Sequence, residues 1–270
     1  MPELPEVETI VRQLTLKVLQ KKITTVEIID RNFVKQEMLK SKGAVVIDIF
    51  RRAKSINIAL DNGYLIQAHL GMTGSFNYLP KSISEEKLKK ALEYGLVKFT
   101  FNDGSILIYN NIRKFGYIRL LDKHQLEKEL AKYGPEPLSE EFTFEKFKEI
   151  MYRKRKANLK TTLMDQKIIS GIGNIYAQEI LYSAGISVLK KINTLTEKEM
   201  GLIYRKMREI LLSAINHGGS TVDNYSHLDG TGGFQDYLKI YGREKCPQGH
   251  ATTKITIGGR GTSYCKKCQK

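Results

Sequence analysis

The period of apolar and polar positions changes along the chain, and the changes lay out the expected elements. Ser55-Ile56-Asn57-Ile58-Ala59-Leu60 alternates with period two, the spacing of a strand. Residues 23–29 are rich in β-branched side chains and predict another strand. Asp61-Asn62-Gly63 and Asn102-Asp103-Gly104 stand between strand-like runs and read as hairpin turns. Several short strands joined in this way predict a β-sandwich or barrel in the first half. Ahead of them, Pro5, Glu6 and Glu8 suit the first turn of a helix. Proline gives up an N–H that the first turn leaves unused, and acids complement the positive end of the dipole.

Tyr133-Gly134-Pro135-Glu136-Pro137 breaks any regular element and reads as a linker. Beyond it the period becomes helical. Residues 144–156 predict a helix with Thr143 as its cap. Ser170-Gly171-Ile172-Gly173-Asn174 precedes another helix, whose free N–H groups would offer a phosphate seat. Glycine turns before helices are also common without any ligand. Residues 217–234 hold five glycines, and we expect a lid whose backbone amides read a small planar ligand. No apolar run approaches the ~18 residues of a membrane span. The acidic N-terminus is unlike a signal peptide, so a cytoplasmic protein is expected.

Charge narrows the function. The 270 residues carry 44 Lys and Arg against 29 Asp and Glu, a net +15, which argues for a polyanionic partner. Nucleic acid fits best, because neutralising phosphates releases counterions. The rival, an acidic membrane, would call for a basic amphipathic helix, and none is legible. The surplus is local: residues 151–160 and 246–270 contain basic residues and no acid.

Four constellations carry candidate chemistry. If Met1 is removed, Pro2 presents a secondary amine. A free α-amino group has a pKa near ~8, so a usable fraction is neutral and can attack an electrophilic carbon to give an iminium ion. Glu3 beside it could move protons. A capped helix and nothing more is the competing reading. Lys54 is either an exposed strand-end lysine, or a cation over a phosphate or a proton donor near the Pro2 amine, and a cation near that amine would also lower its pKa. Met72, between glycines, is either core filler or an apolar wedge for a base stack. Arg113 and Phe115 lie two apart, and on extended backbone they point to one side, able to fill a gap in a duplex. Finally, Cys246-x-x-x-His250 and Cys265-x-x-Cys268 have the spacing of one tetrahedral structural Zn²⁺ site. The intervening segment predicts a β-hairpin with Arg260 at its tip. A free Cys246 with a reactive cysteine pair is the alternative.

Pro2-Glu3-Leu4-Pro5-Glu6-Val7-Glu8-Thr9, Arg51-Arg52-Ala53-Lys54, His69-Leu70-Gly71-Met72, Arg113-Lys114-Phe115-Gly116, Gly171-Ile172-Gly173-Asn174-Ile175-Tyr176-Ala177 and the cysteine hairpin together resemble the bacterial formamidopyrimidine-DNA glycosylases, also called DNA-(apurinic or apyrimidinic site) lyases. The resemblance runs in order from end to end. It implies an α+β multidomain chain: an N-terminal β-sandwich with an N-terminal helix, a helix–two-turn–helix domain and a zinc-finger hairpin. The expected boundaries are 1–132, a linker 133–138, 139–235 and 236–270. It implies a monomer acting on double-stranded DNA that carries oxidised bases or abasic sites. The oxidised purine, 8-oxoguanine or a formamidopyrimidine, would be flipped out and excised. By the same resemblance Pro2 is the nucleophile, Glu3 a proton donor, Lys54 the donor for β-elimination and Arg260 the residue for δ-elimination. Met72, Arg113 and Phe115 would fill the vacated stack. Asn174, Arg155, Lys160 and His69 would contact phosphates.

Two departures stand out. The family commonly has Cys-x-x-Cys where this chain has Gly249 followed by His250, so His250 is expected to replace a thiolate. Tyr94-Gly95-Leu96 stands where many members have a DNA-contacting histidine. The alternatives are an endonuclease-VIII-like enzyme for oxidised pyrimidines and a non-catalytic zinc protein that binds damaged DNA.

Overall fold

The structure, a computed structural model, describes residues 1–221, 228 and 230–270. The chain divides into two compact units. The first comprises Met1–Pro2, Glu6–Ala131 and Gly218–Gly232; the second comprises Glu3–Pro5, Lys132–His217 and Gly233–Lys270.

The first unit is a β-sandwich. Helix α1 (Leu4–Val18) places Val7, Ile10, Val11, Leu14 and Val18 at helical spacing, and all five are buried. Eight strands follow: β1 (Ile23–Ile28), β2 (Val46–Arg52), β3 (Ser55–Leu60), β4 (Leu65–His69), β5 (Gly74–Leu79), β6 (Gly95–Phe101), β7 (Ile106–Asn111) and β8 (Tyr117–Leu121). They form two antiparallel sheets of order β1-β6-β7-β5 and β2-β3-β4-β8. One apolar cluster takes residues from α1 and both sheets, among them Leu14, Ile56, Ala68, Phe99 and Tyr109. That shared core makes the sheets a sandwich rather than two separate layers. The predicted turns close β3–β4 and β6–β7, with Gly63 and Gly104 at φ +84° and +81°. Helices α2 (Glu85–Leu92) and α3 (Lys123–Leu130) lie outside the core and bury no residue.

The second unit is helical with a terminal hairpin. Its helices are α4 (Phe144–Arg153), α5 (Leu159–Met164), α6 (Asn174–Ser183) and α7 (Glu197–Asn216). The Thr143 hydroxyl caps α4 by accepting from the Lys146 N–H, as expected. The helix ends at Arg153, before the predicted residue 156. The backbone there turns, Ala157 N–H donating to the Lys154 carbonyl and Asn193 N–H to the Arg155 carbonyl. Helix α6 is buried from Ile175 through Leu181, so it is the core of this unit and not a surface element. The hairpin pairs β9 (Thr253–Ile257) with β10 (Arg260–Tyr264). Its turn is only Gly258-Gly259, both at positive φ, the two-residue loop whose twist matches a hairpin. Arg260 is therefore the first residue of β10, opposite Ile257, and not part of the tip itself. Among the described residues no helix is long and apolar enough to cross a membrane.

Candidate functional site

In the first unit, Pro2 is buried while Met1 is exposed. Lys54 follows Ala53, which holds a positive φ of 53° in the tight β2–β3 connection. That connection tucks the Lys54 side chain in, leaving it 7% exposed. His69 ends β4, stacks on Tyr117 at 5.5 Å and accepts the Gly71 N–H on Nδ1 at 3.1 Å. Burial first, and then the charge of Lys54, push its pKa down to about 4. At neutral pH the ring is uncharged and Nδ1 is an acceptor, so Nε2 carries the proton and can donate. The predicted wedge residues are exposed: Met72 by 43% and Phe115 by 62%. The Arg113 guanidinium sits 4.8 Å from the centre of the Phe115 ring. Tyr94, at the position where a histidine is common, is exposed just before β6.

The sequence pattern undervalued Glu6. It reads as a dipole-complementing acid, yet it is 2% exposed and its Oε1 accepts from the N–H and hydroxyl of Ser220. It thus anchors one end of the segment expected to be a lid. Residues 222–227 and 229 of that segment lie outside the described residues.

In the second unit four predicted residues converge. Glu3 is 3% exposed. Its carboxylate accepts the N–H groups of Gly173 at 2.7 Å, Ile175 at 2.9 Å and Tyr176 at 3.3 Å. The α6 terminus predicted to seat a phosphate therefore holds the chain's own carboxylate. Beside it lie two more of the residues expected to contact phosphate, Lys160 and Asn174. Lys160, fully buried, donates from Nζ to Asn174 Oδ1 at 2.7 Å, and Asn174 Nδ2 donates to the Gly261 carbonyl at 3.0 Å. Burial lowers the Lys160 pKa to about 8; the nearby Glu3 charge opposes this and Arg260 adds to it. Gln178 fastens the hairpin to α6, its Oε1 accepting from the Ser263 N–H and its Nε2 donating to the Asn174 carbonyl. Glu179 is 2% exposed and accepts the N–H groups of Lys239, Ile240 and Tyr241. Neither residue's long-range role carries a local signal, because Ser263 and residues 239–241 lie 60 or more positions away. Arg155 is exposed on the turn after α4, and among the described residues no hydrogen bond joins its side chain to this cluster.

Cys246, His250, Cys265 and Cys268 come together with every ligand atom within 4.8 Å of the others. The cysteines are not disulfide-bonded. Burial raises the Cys246 thiol, but the N–H groups of Gln248 and His250 and the Tyr182 hydroxyl outweigh it and hold it at about 6. Burial and the neighbouring Cys265 and Cys246 sulfurs push Cys268 up to about 11. Three thiols and an imidazole therefore fit a doubly charged ion, which alone would let the sulfurs ionise together.

Comparison with known proteins adds to this geometry. Residues 1–118 match the model of the formamidopyrimidine-DNA glycosylase N-terminal domain, and residues 133–226 match that of the formamidopyrimidine-DNA glycosylase H2TH domain. A formamidopyrimidine-DNA glycosylase of Shouchella clausii is 38% identical over 282 residues, covering 100% of this chain and 99% of the relative. That of Bacillus subtilis is 38% identical over 281 residues with the same coverage. Among solved structures, a complex of Lactococcus lactis Fpg with abasic-site DNA superposes with a TM-score of 0.88 at 33% identity, covering 99% of each chain. The wild-type L. lactis protein with N7-benzyl-Fapy-dG DNA gives 0.89 at 33%, covering 100% of each chain. With two family domains matched in order and relatives this similar from end to end, the chain belongs to the formamidopyrimidine-DNA glycosylase family.

Proposed function

We propose that this protein is a bifunctional DNA glycosylase and abasic-site lyase that excises oxidised purines, 8-oxoguanine and formamidopyrimidines, from double-stranded DNA as a single chain. The observation that carries the reading is Glu3. A buried carboxylate fixed by three N–H donors sits next in sequence to the buried Pro2. That is an oriented proton-transfer group adjoining a potential imino nucleophile.

After removal of Met1, the Pro2 nitrogen attacks the sugar C1′. The glycosidic bond breaks and its electron pair leaves with the base. The Pro2 nitrogen loses its proton, and its lone pair then forms the iminium with C1′ as the sugar ring opens and O4′ takes up a proton. Glu3 is the proton carrier in this reading. Loss of a C2′ proton expels the 3′ phosphate by β-elimination, with Lys54 as the donor; δ-elimination then expels the 5′ phosphate, with Arg260 assigned. Water finally hydrolyses the iminium and frees Pro2. Lys160 with Asn174, Arg155, and His69 through Nε2, would hold phosphates. Met72, Arg113 and Phe115 would occupy the space left by the flipped nucleotide.

The Cys246, His250, Cys265 and Cys268 cluster would hold one structural Zn²⁺, bracing the hairpin that carries Arg260. Spacing supports zinc: around a tetrahedral ion, two thiolates about 2.3 Å away lie about 3.8 Å apart, and a thiolate and an imidazole nitrogen about 3.5 Å apart. Cys246 Sγ and Cys268 Sγ are 3.8 Å apart, and His250 Nδ1 is 3.3 Å from Cys268 Sγ and 3.8 Å from Cys246 Sγ and Cys265 Sγ.

A lesion panel tests the reading. Duplexes with 8-oxoguanine or formamidopyrimidine should be cut, and duplexes with oxidised pyrimidines should be cut far more slowly. The reverse order would make the protein an endonuclease-VIII-like enzyme, and cleavage of none would leave a binding protein.

A further inference from the structure

The exposed wedge residues sit on two different connections, Met72 between β4 and β5 and Arg113 with Phe115 between β7 and β8. Nothing in their sequence spacing joins them. In the fold the two connections are pressed together at their backbones. A Cβ on Gly71 would lie 2.5 Å from the Gly116 nitrogen, and one on Gly116 would lie 2.1 Å from the His69 carbonyl oxygen. No side chain fits at either position.

A continuous hydrogen-bond chain crosses this contact. The half-buried Thr73 hydroxyl accepts the Arg113 N–H at 3.0 Å and donates to Asn111 Oδ1 at 3.1 Å. Asn111, 1% exposed, donates from Nδ2 to the Tyr109 hydroxyl at 3.2 Å, and that hydroxyl donates to the His69 carbonyl at 2.9 Å. The far side of the arginine loop is held as well. Lys114 has a positive φ of 54°, and its ammonium reaches Asp30 Oδ2 at 2.6 Å. The cost of that left-handed lysine is offset by the contacts that fix it. Asn111 and Tyr109 are buried and Thr73 is half-buried, so the middle of this path is held by protein partners, while its Arg113 N–H and Lys114 ends are exposed.

We propose that Met72 and the Arg113–Phe115 pair enter DNA as one preformed unit, with Thr73 as the positioning residue that sets one wedge against the other through Asn111. The inference rests on the proposed reading as a base-flipping enzyme and deepens it. Thr73 touches no substrate; it acts through the Arg113 backbone. Presenting both wedges in register removes the ordering of a second loop from the insertion step.

The test is Thr73→Val, which keeps shape and removes the hydroxyl, with Thr73→Ser as the rescue. Three readouts are compared. One is the stopped-flow fluorescence of 2-aminopurine placed beside the lesion, which brightens on unstacking. The second is single-turnover excision of 8-oxoguanine from duplex. The third is strand cleavage at an abasic site in single-stranded DNA, which needs no wedge. Thr73→Val should slow the 2-aminopurine step and duplex excision by about tenfold or more. Single-strand cleavage should be unchanged, and Thr73→Ser should restore both duplex steps. Wild-type duplex rates in Thr73→Val would overturn the proposal. So would a parallel fall in all three readouts, which would mark Thr73 as part of general stability only. If Thr73→Val does not fold, Asn111→Leu, which removes the bonds to both Thr73 and Tyr109, must show the same selective loss or the proposal falls. A wild-type protein that brightens 2-aminopurine but excises nothing would refute the enzymatic reading, while the wedge coupling would still be judged by the fluorescence step.

Discussion

Lys160 makes a pH dependence in DNA affinity that can be worked out in advance. Its side chain is fully buried, donates to Asn174 at 2.7 Å and has a pKa lowered to about 8 by burial. If a phosphate binds only the ammonium form, the apparent Kd scales as one plus the ratio of neutral to charged lysine. At pH 7 nearly all of the lysine is charged, and at pH 9 about one in eleven is. Affinity should therefore fall about tenfold between pH 7 and pH 9, equivalent to about 1.4 kcal/mol. Binding to a duplex with a stable abasic analogue, followed by fluorescence anisotropy at constant ionic strength, reads this directly. Lys160→Arg keeps its charge and should give a much flatter profile at whatever affinity it retains. Equal affinity at pH 7 and 9 for the wild type, or the same tenfold decline in Lys160→Arg, would refute the reasoning. Stability of the unliganded protein carries the opposite sign. The folded-state pKa lies below the unfolded value of 10.5, so the unfolded chain binds more protons between about pH 8 and 10.5, and this lysine favours the fold increasingly as pH rises through that window.

Two further outcomes follow from the second unit. His250→Ala should lower zinc content per chain, measured by atomic emission, toward zero; full stoichiometry in the variant would mean the ligand set is different. Glu179→Leu removes the acceptor of three backbone N–H groups, at about 1 kcal/mol or more each, so thermal unfolding should shift down by several degrees. An unchanged melting temperature would show that water takes over those donors.

What the sequence made legible was local. Turn residues marked the hairpins at Asp61-Asn62-Gly63 and Asn102-Asp103-Gly104, and Thr143 marked the start of α4, because each effect acts within a few residues. The four metal-type ligands were legible because a tetrahedral site needs only chemistry and spacing. Long-range structure was not. Nothing in residues 23–28 says that they pair with residues 97–101, and a strand pattern fixes a face but not a partner. Glu6 and Glu179 look like ordinary helical acids until Ser220 and residues 239–241 fold onto them. Glu3 shows the same limit at the candidate site. Its pairing with the α6 terminus changes that terminus from an anion seat into a clamp for a carboxylate. Helix α7 was legible in principle, since Thr196 and Glu199 form a capping box at its start.

The central claim is that the Pro2 nitrogen becomes covalently joined to the sugar. Borohydride reduction during turnover of an 8-oxoguanine duplex, followed by proteolysis and mass spectrometry, tests it most directly. The account predicts one trapped species, with the deoxyribose remnant on the Pro2 nitrogen of a chain lacking Met1, and no such species from Pro2→Gly at comparable yield. An adduct on a lysine, or efficient trapping by protein that retains Met1, would contradict it.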